Sequence, residues 1–254
     1  MNKNWFIITI IILFALFLTV ILEISDNYNF SDDTTLIDLI NDQQDTLAIE
    51  LINKGQLINS TNKYGNTPLS LTSKMGNKKI VELLIKKGVD VNEKGKNGLI
   101  PLLDAAYLSG RSNVICLLFN HITDFNIKDD YGRSLLIHAA ILNNNYLVKS
   151  LIEKSAEINI KDNFGRTALH YAIKNIEDEA KVDFEMDTEE VEDYKIRRYE
   201  VILALLSNNA DINIKDKDGN SALSLAENHK DKNINLIFSE KSLKNVKIIT
   251  TIKK

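Results

Sequence analysis

The sequence predicts an all-α solenoid of about six helix–turn–helix repeats, preceded by one N-terminal transmembrane helix. Three observations carry that prediction. Glycines recur at Gly65, Gly98, Gly132, Gly165 and Gly219, spaced 33, 34, 33 and 54 residues apart. An apolar residue followed by asparagine keeps the same step, at Ile58-Asn59, Val91-Asn92, Phe125-Asn126, Ile158-Asn159 and Ile212-Asn213. An 18-residue run without charge or proline, Trp5 to Leu22, precedes the repeats. Two unrelated markers sharing one period indicate an array of copies, each burying its apolar face against its neighbours.

Residues 1–22 are the predicted signal-anchor. As a helix the apolar run spans roughly 27 Å, close to the ~30 Å hydrocarbon core of a bilayer. Lys3 before it and Glu23 and Asp26 after it favour a cytoplasmic N-terminus, with the array outside the cytoplasm, periplasmic or at the cell surface. The alternative is a signal peptide whose cleavage releases a secreted protein. The run exceeds the apolar region of such peptides, and no Ala-x-Ala-like site follows it. Residues 23–31 form a polar linker, 32–240 the array, and 241–254 a basic C-terminal tail.

Within a unit, the glycine supplies a positive φ to a tight turn. Thr or Ser two residues later can cap the next helix. The two prolines, Pro68 and Pro101, fall at the same repeat position, the first helical turn, where a missing N–H costs nothing. A second helix then shows apolar residues at helical spacing, as in Ile80, Val81, Leu84 and Ile85 or Leu147, Val148, Leu151 and Ile152. It ends at Gly88, or at the equivalent Ser155 or Asn209.

Gly65-Asn66-Thr67-Pro68-Leu69 and Gly165-Arg166-Thr167-Ala168-Leu169-His170, with Gly88-Val89-Asp90-Val91-Asn92 closing a unit, resemble ankyrin repeats. The resemblance covers about four-fifths of the chain. It implies stacked helix pairs with projecting loops, and a protein-binding rather than catalytic role. Thr34-Thr35-Leu36 and Gly55 extend the register to a degenerate first unit over roughly 32–60. The family's histidine is kept only as His170, expected to hydrogen-bond within its own turn; Ser70, Leu103, Ile137 and Ser224 replace it elsewhere. Cys116, in an apolar stretch of a second helix, is expected in the core.

The 54-residue step exceeds one unit by 21 residues, placing an insertion at about 175–199, between the two helices of the fifth unit. From Glu177 to Asp193 it holds ten acidic residues and one basic one, Lys181. Repeat insertions map to loops on one face, often the binding face. Asp216, Asp218, Asn220 and Glu227 fit four positions of a calcium loop, but Ser221 stands where that loop needs glycine. Repeat register accounts for the pattern better, and no metal or cofactor is expected.

The chain carries a net charge of −4, and no basic stripe appears along its sequence. That argues against nucleic acid as a partner. No Ser/His/Asp order, phosphate loop or clustered metal ligands is present, so the chain is read as a non-enzyme; a catalytic site in the acidic insertion is the remaining alternative of that class. No small-molecule substrate is expected. A protein partner is expected in the groove lined by loop tips and first helices. The tips are Tyr64, Asn97, Tyr131, Phe164 and Asp218. The groove-facing positions are Lys74, Met75, Asp104, Tyr107, Leu108, His138, Ile141, Leu142, Tyr171 and Lys174. The expected contact residues are Tyr64, Met75, Tyr107, Tyr131, Ile141, Phe164 and Tyr171.

Overall fold

A computed structural model describes residues 35–108, 110–174 and 188–239. The segments expected to form the signal-anchor, the linker and the basic tail, with the first half of the acidic insertion, lie outside the described residues.

Twelve α-helices follow one another in six pairs among the described residues. They are α1 (Leu36–Asn41) and α2 (Asp45–Asn53), α3 (Pro68–Met75) and α4 (Lys78–Lys86), and α5 (Pro101–Ala106) and α6 (Ser112–Phe119). Then come α7 (Leu135–Ile141) and α8 (Asn145–Glu153), α9 (Ala168–Lys174) and α10 (Thr188–Ser207), and α11 (Ala222–Glu227) and α12 (Lys232–Ser239). No strand forms among the described residues; the turns between pairs contribute two isolated bridges, Lys128 with Ser134 and Lys215 with Ser221.

The predicted caps start the first helices. Thr35, Thr67, Ser134 and Ser221 each accept a hydrogen bond from the backbone N–H three residues on. At α3 and α11 the bond is reciprocal: Ser70 Oγ accepts from Thr67 N–H at 3.2 Å and Ser224 Oγ from Ser221 N–H at 2.9 Å. Those serines occupy the histidine position of the repeat. His170 does the same job in its own unit, its Nδ1 accepting from Thr167 N–H at 3.2 Å, while Nε2 lies 3.2 Å from the Asn220 carbonyl of the next unit. Leu103 and Ile137 cannot make this bond. Asn77 and Asn144 cap second helices α4 and α8. Those helices close on the left-handed residues Gly88 and Ser155, as Asn209 closes α10.

First helices pack on first helices and second on second, leaving one continuous apolar core between the layers. Leu84, Leu118 and Leu151 are wholly buried there, each stabilising the stack by roughly 1.5–3 kcal/mol. The junction between the third and fourth pairs differs: neither the first helices α5 and α7 nor the second helices α6 and α8 pack closely across it. Cys116 departs from expectation and is exposed. Val114 and Leu118 of α6 are fully buried, and Ile115, Leu117 and Phe119 pack partly buried against the core, which leaves Cys116 on the outer side.

The second half of the insertion is helix rather than loop. Thr188 to Tyr199 prolongs the second helix of the fifth unit into the 20-residue α10. The prolongation docks on the fourth unit: Asn143 Nδ2 donates to the Tyr194 carbonyl at 2.8 Å, and Asn145 Nδ2 to Glu200 Oε2 at 2.7 Å. Arg198 is buried, with its guanidinium 5.0 Å from the Tyr194 ring centroid. Val191, Tyr194 and Ile196, half-buried, thus have a structural use.

Candidate protein-binding surface

Four of the five loops between units are fingers built on one side chain. Asp129 Oδ1 accepts from the N–H groups of Tyr131 at 2.9 Å and Arg133 at 2.8 Å. Asn62, Asp162 and Asp216 make the same pair of bonds in their fingers. Gly95 stands at this position in the third unit, where a 3₁₀ turn over Lys96–Gly98 with Asn97 left-handed takes over. Adjacent fingers are stitched together: the Asn97, Tyr131 and Phe164 carbonyls accept from Asp130, Asn163 and Lys217 N–H at 3.2, 2.9 and 2.9 Å. A β-carbon on Gly132 would lie 3.0 Å from the Asn163 backbone nitrogen, so glycine permits both the turn and the stitching.

The fingers hold their tip side chains outward. Tyr64, Tyr131 and Phe164 are 58%, 45% and 48% exposed. Each ring carries a cation on its face rather than folding over a neighbouring turn. Lys63 and Lys96 sit 5.0 and 5.9 Å from the Tyr64 centroid, Arg133 4.7 Å from Tyr131, and Arg166 5.5 Å from Phe164. Arg133 is anchored on Asp129 at 2.8 Å, and Arg166 on Asp218 at 3.0 Å and Asp216 at 3.5 Å.

On the first helices, Tyr107 is 39% and Leu108 40% exposed, while Met75, Ile141, Leu142 and Tyr171 are half-buried. Lys74 is exposed and Lys174 half-buried. His138 does not face the groove as expected: it is wholly buried. Its Nδ1 lies 2.7 Å from Tyr107 Oη and its Nε2 3.1 Å from Asp129 Oδ2. Burial drives its pKa down to about 4, so the ring is neutral at pH 7. The proton is then assigned to Nε2, which donates to Asp129, while Nδ1 accepts from the tyrosine hydroxyl. Tyr171 repeats the design one unit on, donating from Oη to Asp162 Oδ2 at 2.6 Å; burial and that bond push it up to about 12. Asp104, at the same repeat position, lacks such a partner distance. Burial raises its carboxyl to about 7, with Lys74 pulling the other way.

The stacking also produces a basic row that the linear order hid. Lys94, Lys128, Lys161 and Lys215 occupy one repeat position, immediately before the residue that builds each finger, and all four are exposed. Absence of a basic stripe along the sequence is therefore no guide to the folded surface. The missed signal was periodic rather than local: steps of 34, 33 and 54 between lysines.

The calcium-like residues have other partners. Asp216 Oδ1 is held by two backbone N–H groups, and Asp218 pairs with Arg166. Among the described residues no group of three or more metal-ligating side chains forms, and no helix is long and apolar enough to cross a membrane.

The family model for ankyrin repeats matches residues 36–129 and 102–183, more than half of the chain. A human protein, transient receptor potential cation channel subfamily A member 1, is 27% identical over 119 residues, 46% of this chain and 10% of that one. The putative ankyrin repeat protein FPV031 of fowlpox virus is 30% identical over 106 residues, 40% of this chain and 31% of the viral protein. The ankyrin repeat-containing protein F37A4.4 of Caenorhabditis elegans is 40% identical over 55 residues, 22% of this chain and 5% of its own length. The chain thus spans about a third or less of these curated relatives. The crystal structure of EF0377, an ankyrin repeat protein, superposes with a TM-score of 0.63 at 25% identity, covering 81% of this chain and 94% of that one. With the family model, the periodic glycines and the stacked helix pairs in agreement, the chain belongs to the ankyrin-repeat family.

Proposed function

We propose that this protein is a membrane-tethered interaction module whose finger tips and first-helix groove bind a protein partner outside the cytoplasm. The observation that carries the reading is the row of aromatic tips, exposed yet held in place: Tyr131 and Phe164 on stitched fingers, and Tyr64 on the turn built by Asn62. Rigid aromatic side chains flanked by arginine are the residue types that dominate binding energy at interfaces. Tyr107, fixed by His138, with Met75, Ile141 and Tyr171 beside it, continues this surface into the groove. Tethering rests on the uncharged run Trp5–Leu22, and the outward orientation on the charges flanking it.

Tyr107, His138 and Asp129 are ordered like a nucleophile, a base and its orienting carboxylate. The reading as a binding surface suits them better, because His138 is wholly buried, which weakens it as a proton acceptor, and burial raises the Tyr107 hydroxyl above its ordinary value.

A photo-crosslinking phenylalanine analogue placed at Tyr107, Tyr131 or Phe164, and at Tyr146 on the second-helix side, tests the partner-binding claim in the native host. Adducts to one protein from the first three sites and none from Tyr146 are expected; adducts from Tyr146 alone contradict the reading. Fractionation with N-terminal sequencing tests the tether. A chain starting near residue 24 to 30 in the soluble extracytoplasmic fraction replaces it with the secreted form.

A further inference from the structure

We infer that the finger row recognises an acidic, extended segment of the partner polypeptide, read by the lysines Lys94, Lys128, Lys161 and Lys215. The inference rests on the binding surface proposed above and names the chemistry of its ligand.

The four lysines share one repeat position on stitched fingers, so their spacing is that of the stack. They keep their charge available. The residues that follow Lys128, Lys161 and Lys215 are Asp129, Asp162 and Asp216, and these carboxylates are buried and turned into their own fingers. Lys94 is followed by Gly95. None of the four forms an ion pair among the described residues, and neither do the exposed Lys63, Lys96 and Lys217 at the tips. The finger arginines, by contrast, are spent on Asp129, Asp216 and Asp218. The row is thus a set of cations without ion-pair partners among the described residues, on the fingers that carry the aromatic tips and on a chain whose net charge is negative.

Spacing selects the ligand. From Lys128 through Lys161 to Lys215 the first helices of successive units pack on one another, which sets them ~8–10 Å apart, and an extended polypeptide advances about 3.3 Å per residue. A carboxylate at every third residue therefore keeps step with the lysines, and intervening side chains can reach Tyr131 and Phe164. A nucleic-acid strand carries a charge on every nucleotide. A polypeptide, by contrast, can omit a carboxylate where it would meet the exposed Asp130, two residues from Lys128. The acidic polypeptide is the better match.

The test uses the full-length protein in detergent and an end-labelled poly-L-glutamate of about 20 residues, followed by fluorescence anisotropy. Single-stranded DNA of equal length is the competing probe. The variant K94Q/K128Q/K161Q/K215Q removes the row, and K79Q/K86Q/K149Q/K154Q removes the same charge from exposed positions on or beside the second helices. We expect salt-sensitive binding of polyglutamate that falls at least tenfold in the first variant and less than threefold in the second. Equal losses in both variants, no loss in the first, or no binding by the parent protein overturns the inference. Tighter binding of the DNA overturns it in favour of a nucleic acid. Failure of the underlying reading is separately visible: crosslinkers at Tyr107, Tyr131 and Phe164 would then capture nothing. Capture that persists undiminished in K94Q/K128Q/K161Q/K215Q sinks only the acidic-ligand inference.

Discussion

Asp104 and His138 occupy one repeat position on neighbouring first helices, and burial drives each toward its neutral form. Their consequences for stability have opposite sign. The Asp104 carboxyl ionises near 4 when unfolded but only at about 7 when folded, so its contribution is lost as pH rises from about 4 to 7. The His138 ring protonates near 6.5 when unfolded but only at about 4 when folded, so its contribution is lost as pH falls over nearly the same interval. The two slopes offset each other in the parent protein. Asp104→Asn is expected to stabilise the fold by about 2 kcal/mol at pH 8 relative to its effect at pH 4. His138→Gln should cost more at pH 7 than at pH 4, since it gives up the bonds to Tyr107 and Asp129 only where the neutral ring was favoured. Denaturant titrations of each variant against the parent, repeated across pH 4–8, check both signs. Of this network the sequence offered only residue types: His138 was legible as a first-helix residue, but which neighbour it touches depends on the stacking of two units.

At the scale of the element, the finger was almost fully legible and the insertion only half so. Turn glycine, cap and second-helix stripe are local rules, each decided within a few residues, and Gly65, Thr67 and Pro68 obeyed them. The stitching of one finger to the next is not local, which is why the lysine row escaped a reading along the chain. Gly132→Ala tests the stitching. Its φ of 76° and the Asn163 nitrogen 3.0 Å from a modest β-carbon both oppose the substitution. A loss of about 1–3 kcal/mol is expected in chemical denaturation, whereas Gly88→Ala meets only the backbone cost, its β-carbon having nothing within 4 Å. Equal losses at the two glycines would mean that the fingers are not in close register. An excess of carboxylates reads equally as a solvated helical extension or a loop, so the insertion's conformation was open. Its second half takes the helical form and prolongs α10, with Tyr194 and Arg198 giving it a buried side on the fourth unit.

For the whole molecule, stability is a sum over units and junctions, and the junctions are unequal. Between the third and fourth pairs the core is continuous but the helices pack less closely, and the Tyr107–His138 bond and the Asp130–Asn97 finger stitch cross the junction. Hydrogen exchange should therefore separate a block over residues 35–124 from one over 125–239, with Tyr107→Phe widening the difference. The last pair closes the stack through Tyr199, whose hydroxyl bonds Asp231 and accepts from Asn233 Nδ2 at 3.3 Å. Deleting residues 215–254 bares Leu206 and its neighbours, and a broadened melt at a lower midpoint is expected. A full-strength cooperative melt would contradict the capping role of that pair.

The central claim is that finger tips and groove together form the partner surface. The most direct measurement is the affinity of Tyr107→Ala/Tyr131→Ala for the crosslinked partner, taken beside its melting curve. A loss of 2 kcal/mol at one hot spot is about thirtyfold in affinity. The account predicts at least a hundredfold weaker binding for the double variant with the array still cooperatively folded. Parent-like affinity in a folded double variant would contradict it.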